Sequence, residues 1–62
     1  MSVETAKKRF LSRGLGMVVR GNELVCHIGN AEVRVPIVGG EVSKAAFDNG
    51  LDQVSAIVAR RR

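Results

Sequence analysis

The chain has 62 residues, of which 45% are hydrophobic and 26% are charged, and its formal net charge is +4. A chain of this length forms one small domain and buries only about 60% of the surface that its unfolded form exposes. The composition is ordinary for a globular protein. Length and composition together exclude a two-domain enzyme, a barrel enzyme and a disordered chain.

The positive charge is concentrated towards the two ends of the chain, whereas residues 14–36 carry two cations and two anions and are neutral. The terminal cations are Lys7, Lys8, Arg9, Arg13, Arg60, Arg61 and Arg62. Cations at these positions suit contact with a polyanion or with an acidic partner protein. They suit an ordinary solvated surface equally well.

Residues 2–13 have the pattern of an amphipathic helix. Ser2 is a candidate N-cap, and Glu4 follows in the first turn, where the helix dipole favours an anion. The apolar residues with helical spacing are Val3, Ala6, Phe10 and Leu11. Gly14 occupies a position where helices commonly end. The sequence therefore predicts a short N-terminal helix, which needs a packing partner to be stable.

The middle of the chain predicts a three-stranded antiparallel meander. Apolar and polar residues alternate in three runs, residues 15–20, 23–28 and 31–37. The runs are separated by Gly21-Asn22 and Gly29-Asn30, and a two-residue connection of this type is typical of a β-hairpin. Pro36 has no backbone N–H to donate, so the third strand ends there or lies at an edge of the sheet.

The C-terminal segment has two interpretations, and both give an α+β fold. The apolar residues from Ala46 to Val58 have helical spacing, and Ser43 could cap such a helix. Against a helix, Asn49-Gly50 is a turn signal, and the β-branched residues Val54, Ile57 and Val58 are mediocre helix formers. These residues favour a loop over residues 39–50 and then a further strand over residues 51–60.

The sequence predicts no enzyme, no metal site and no cofactor. Cys26 and His27 are adjacent on a predicted strand, so their side chains point to opposite faces and cannot share a ligand. A zinc site needs a larger set of ligands than one cysteine and one histidine provide. With no disulfide, no signal peptide and no long apolar stretch, we expect a reducing, cytoplasmic setting and no membrane or small-molecule partner.

As a whole, the chain resembles the small head–tail joining proteins of long-tailed phages. The segments that carry the resemblance are VETAKKRFLSRGLGMVV, AEVRVPIVGG and FDNGLDQVSAIVARRR. The resemblance implies a virion structural protein that acts through protein–protein contacts, in a ring of identical subunits. It also implies a docking loop from Gly39 to Gly50, with Gly39, Gly40, Asn49 and Gly50 as its special positions, and a contact with a partner at residues 60–62.

If residues 43–61 are helical, the order α-β-β-β-α resembles that of a double-stranded RNA-binding domain. The stretch SKAAFDNGL then resembles the start of that family's second helix. Members of that family place several lysines there to contact phosphates, whereas this chain has Lys44 alone, followed by Asp48 and Asp52. The second functional hypothesis is therefore a small basic nucleic-acid-binding module.

Overall fold

The computed structural model describes residues 1–60, which form two helices and three strands in the order α-β-β-β-α. The elements are α1 (Val3–Leu11), β1 (Val18–Arg20), β2 (Glu23–Ile28), β3 (Ala31–Pro36) and α2 (Lys44–Arg60). The predicted α+β class, N-terminal helix and antiparallel meander are confirmed. Of the two interpretations of the C-terminal segment, the helix is confirmed and the strand over residues 51–60 is wrong.

The sheet follows from the two glycine–asparagine turns. Gly21 and Gly29 have φ angles of 60° and 61°, which glycine adopts without steric cost. The strand order is β1-β2-β3, and Leu24 pairs with Val35 while Cys26 pairs with Val33. Because side chains alternate along a strand, these apolar residues share one face of the sheet, and that face is buried under the helices.

Both helices begin at a serine cap. Ser2 accepts a hydrogen bond from the backbone N–H of Thr5 at 3.1 Å, and Ser43 accepts one from that of Ala46 at 3.1 Å. At the other end of α1, Gly14 has a φ angle of 80°, which turns the chain away from the helix axis. The caps define where each helix begins, but the packing of Gly50, Val54 and Ile57 decides that α2 is a helix.

Gly50 explains why α2 continues through a sequence that is typical of a turn. It is buried, and a Cβ atom built on it would lie 2.6 Å from Cγ2 of Val35 and 3.1 Å from Cζ of Phe10. The absence of a side chain therefore lets α2 approach the sheet and α1 closely. The β-branched Val54 and Ile57 pack against the core, so packing overrides their weak helix propensity.

One hydrophobic core joins the two helices to β2 and β3. The rings of Phe10 in α1 and Phe47 in α2 are 4.6 Å apart between centroids. The largest side chains that are fully buried are Phe10, Leu24, Val33, Val35 and Val42. Because Phe10 and Phe47 come from different helices, the position of α1 on the sheet depends on this aromatic contact.

The connection between β3 and α2 is short and is tied to the start of the chain. Residues 38–41 form a tight turn in which Gly39 and Gly40 have φ angles of 60° and 74°. The backbone N–H of Val42 donates to the carbonyl of Met1 at 2.9 Å. The expectation of one loop from Gly39 to Gly50 is wrong, because α2 begins at Lys44 and contains both Asn49 and Gly50.

Candidate functional surfaces

The predicted N-terminal cations lie together on α1 and on the turn after it. We call Lys7, Lys8, Arg9 and Arg13 the basic surface. Lys7 is half-buried and the other three residues are exposed. Successive helical residues are about 100° apart, so Lys7, Lys8 and Arg9 cover much of the solvent-facing side of α1. Within residues 1–60, none of the four lies within 4.0 Å of a carboxylate.

Arg13 connects the basic surface to α2. Its guanidinium carbon lies 5.8 Å from the centroid of the Phe47 ring, which is within range of a cation–π contact. Its Nη1 also donates to the backbone carbonyl of Arg9 at 3.1 Å. These contacts limit the orientations of a long side chain, so Arg13 is held at the junction of the two helices.

The other cations of the described chain have surroundings that differ from those of the basic surface. Arg60 is exposed at the end of α2, where it lines a depression with Ile57 and the turn between β2 and β3. Lys44, at the start of α2, pairs with Asp48 at 3.6 Å. Arg61 and Arg62 lie outside the described residues.

The residues predicted to form a docking loop are separated by the structure. Gly39 and Gly40 are exposed in the turn before α2. Asn49 lies within α2 and accepts a hydrogen bond from Nε2 of Gln53 at 2.8 Å. Gly50 is buried against Val35, so it cannot contact a partner.

The outer face of the sheet, which no helix covers, is electrically balanced. Its charged side chains alternate in sign, and Nε of Arg34 lies 3.1 Å from Oε1 of Glu32. The hydrogen bond from Arg34 lowers the pKa of the Glu32 carboxyl, and the same bond raises the pKa of Arg34. Arg20 is the cross-strand partner of Glu23. A polyanion would meet as many anions as arginines on this face, so the basic surface is the better candidate for phosphate.

The two edges of the sheet differ in how their outward backbone groups are covered, and no pattern in the sequence indicates this difference. At the β3 edge, the side-chain amide of Gln53 accepts from the N–H of Arg34 at 3.2 Å and donates to its carbonyl at 3.0 Å. Pro36 lies in the same strand and has no N–H. Gln53 and Pro36 therefore block the addition of another strand to β3.

The β1 edge has no comparable cover among the described residues. Val18 and Val19 are 63% and 48% exposed, and no side chain in residues 1–60 bonds to the outward backbone groups of this strand. Exposed edges of this kind are templates for pairing with another chain. We call β1, with its preceding residues Gly16 and Met17, the open edge.

The prediction that Cys26 and His27 point to opposite faces of the sheet is confirmed. Cys26 is buried in the core, whereas His27 is exposed on the outer face. In the part of the chain that the structure describes, no three metal-ligating side chains come together. Neither α1 nor α2, which have 9 and 17 residues, has the length and apolarity that a bilayer-crossing helix requires.

Comparisons of the chain with models of protein families, with curated proteins and with solved structures found no match.

Proposed function

We propose that this protein binds duplex nucleic acid through the phosphate backbone, with the basic surface on α1 as the contact. The observation that supports the proposal is the cluster of Lys7, Lys8, Arg9 and Arg13, which have no carboxylate partner within 4.0 Å in residues 1–60. Cations that are free of internal pairs contact phosphates and displace counterions from nucleic acid.

A duplex is favoured over a single strand by the positions of the aromatic residues. Proteins that bind single strands stack bases on exposed aromatic rings. The chain has two phenylalanines and no tryptophan or tyrosine, and both Phe10 and Phe47 are buried in the core. Contacts with phosphates alone position a protein without reading bases, so the binding is independent of sequence.

The order α-β-β-β-α supports a double-stranded RNA-binding topology, but the details favour a different contact surface. That family grips phosphates with lysines at the start of its second helix, whereas Lys44 here is paired with Asp48. We therefore assign the contact to α1, and RNA and DNA duplexes are both candidate ligands.

The test is a titration of the full chain with labelled RNA and DNA duplexes at several salt concentrations. We expect log K to fall linearly with log salt, with a slope between about −2 and −4 if two to four phosphates are neutralised. Lys7→Gln combined with Lys8→Gln should weaken binding to all sequences and reduce the slope by about 2, since each phosphate contact contributes about 1.

The matched control removes the same charge from the outer face of the sheet, by Arg20→Gln combined with Arg34→Gln. This double variant should retain most of the salt slope, because those arginines face carboxylates. Equal weakening by the two double variants would mean that net charge, and not α1, governs binding. A chain that binds neither duplex at low salt would contradict the proposal.

A second candidate function is a virion structural protein that acts through protein–protein contacts. The open edge favours it, because Val18 and Val19 are exposed and no side chain within residues 1–60 bonds to the outward backbone groups of Val19. The C-terminal strand implied by the resemblance to head–tail joining proteins is replaced by α2. This candidate therefore rests on the open edge, and it predicts negligible binding to either duplex at physiological salt.

A further inference from the structure

We propose that the open edge binds a second copy of this chain, by antiparallel pairing of two β1 strands across a two-fold axis. This inference concerns the sheet edge beside the basic surface, where Lys7 and Lys8 line the same depression as Gly16 and Met17. It does not depend on nucleic-acid binding. It starts from the contrast between the β3 edge, which Gln53 covers, and the β1 edge, which no residue in the described part of the chain covers.

The direction of the backbone groups on β1 follows from the bonds of Gln53. Because Gln53 binds the N–H and carbonyl of Arg34, these groups point away from β2. Bonding direction alternates along a strand, so Val33 and Val35 bond to β2. By the same alternation, Glu23 and Val25 of β2 direct their backbone N–H and carbonyl groups to β1. Their partners on β1 are Arg20 and Val18.

Val19 therefore directs its N–H and carbonyl to the free side of β1, and the same alternation gives Met17 this direction. An antiparallel pair satisfies both residues when Met17 of one copy lies opposite Val19 of the other. That register is centred on Val18, which then faces Val18 of the second copy. Such a contact is isologous, as a two-fold dimer requires.

The side chains around the open edge fit this register. Val19 of the second copy would lie on the core side of the sheet against Met17, beside Leu11, which is 64% exposed and lines the same depression as Met17. The exposed Val18 side chains would meet on the outer face. They would form a cross-strand pair without backbone hydrogen bonds, and in such pairs the side chains are closest.

No charge opposes this pairing along the strand segment itself, and Glu4 lies beside Lys7 and Lys8 in the adjoining depression. Residues 14–19 carry no charge, although the chain as a whole has a net charge of +4. In the proposed register Arg20 lies opposite Gly16 of the other copy, so the two arginines do not face each other. At the far edge of each sheet, Gln53 and Pro36 block further addition, so assembly stops at a six-stranded dimer instead of continuing as a fibre.

The area of contact predicts the strength of the dimer. A pair of short strands buries less than about 1,000 Å², and interfaces of that size are weak or transient. We expect a dissociation constant of about 0.1–1 mM, which corresponds to a modest free energy of association. Sedimentation equilibrium of the full chain should therefore report a monomer at micromolar concentration and a dimer at millimolar concentration.

Two variants of opposite charge test the register. Val18→Lys and Val18→Glu should each remain monomeric, with a dissociation constant raised by more than about tenfold, because like charges then face each other. An equimolar mixture of the two variants should recover the dimer, since the introduced charges then attract. Circular dichroism checks that both variants are folded.

The matched control is Val38→Lys, which introduces the same charge at a valine that is 77% exposed and lies outside the sheet. This variant should dimerise as the unmodified chain does. A monomer at millimolar concentration for the unmodified chain would overturn the proposal. So would dimerisation of Val18→Lys alone, or a mixture of the charged variants that stays monomeric.

Discussion

Gly50 lies where α2 packs against both β3 and α1, and the effect of a side chain at this position on stability can be measured. In Gly50→Ala the new methyl group would lie 2.6 Å from Cγ2 of Val35, which is fully buried. Alanine improves helix propensity by about 1 kcal/mol, but overpacking of a core costs about 1–3 kcal/mol. We expect a net loss of up to about 2 kcal/mol in the free energy of unfolding, measured by urea denaturation.

The control for Gly50 is Gly16→Ala. Gly16 has no atom within 4 Å of a built Cβ, and its φ angle is not positive. This substitution should leave stability unchanged or raise it slightly, because alanine restricts the unfolded chain. If Gly50→Ala stabilised the protein as well, the close approach of α2 to Val35 would be wrong.

Gly50 also shows why a local sequence pattern does not predict α2 alone. The pair Asn49-Gly50 predicts a turn, because glycine and asparagine are common in turns. In the structure, Gly50 serves contact between elements that are distant in sequence, since Phe10 and Val35 both approach it. A local pattern cannot distinguish these two uses of glycine, because the distinction depends on packing that is formed only in the folded chain.

Among the elements, the edge of β3 offers the clearest test of how α2 protects the sheet. The amide of Gln53 occupies both outward backbone groups of Arg34, at 3.2 Å and 3.0 Å. In Gln53→Ala these groups face solvent. We expect a loss of about 1 kcal/mol in unfolding free energy. Hydrogen exchange should show a faster rate at the amide of Arg34 than in the unmodified chain.

Asp52→Ala is the control for Gln53, because Asp52 is the neighbouring exposed position on α2. It should leave the exchange rate of the Arg34 amide unchanged. Equal rates in Gln53→Ala and the unmodified chain would mean that the side chain of Gln53 does not cover this edge in solution.

The two hairpins and α1 have local sequence signals and are predicted without an alternative, whereas α2 is predicted as either a helix or a strand. The two hairpins depend on Gly21-Asn22 and Gly29-Asn30, whose turn chemistry acts over four residues. The end of α1 depends on Gly14 in the same way. For α2, local propensity and spacing disagreed, and tertiary packing of Val54 and Ile57 decided the outcome.

For the candidate surfaces too, the sequence predicts the features that depend on a local pattern but not those that depend on tertiary packing. The cations of the basic surface could be read from the sequence, because a short helix with one buried face must expose Lys8 and Arg9. The contrast between the two sheet edges could not be predicted. It depends on α2 lying along β3, which places Gln53 beside Arg34, 19 positions earlier in the chain.

At the scale of the whole molecule, a single core holds the basic surface in place. The described chain has extents of 36 × 19 × 18 Å, so few side chains are far from solvent. A protein of 62 residues has a total stability of about 3–9 kcal/mol. Phe10 is fully buried and contacts Phe47, so it links α1 to the rest of the core.

Phe10→Ala therefore tests whether the helix with the basic surface is an integral part of the domain. Truncation of a buried phenylalanine costs about 3–5 kcal/mol, which is comparable to the total stability. We expect the whole chain to be largely unfolded, with loss of near-native dispersion in its amide spectrum, and we expect duplex binding to weaken although every cation remains. Leu11→Ala, at an exposed neighbour on α1, should leave both properties unchanged. If Phe10→Ala instead released α1 while the sheet and α2 stayed folded, the aromatic contact would be a local anchor. The basic surface would then be an appendage and not part of one cooperative unit.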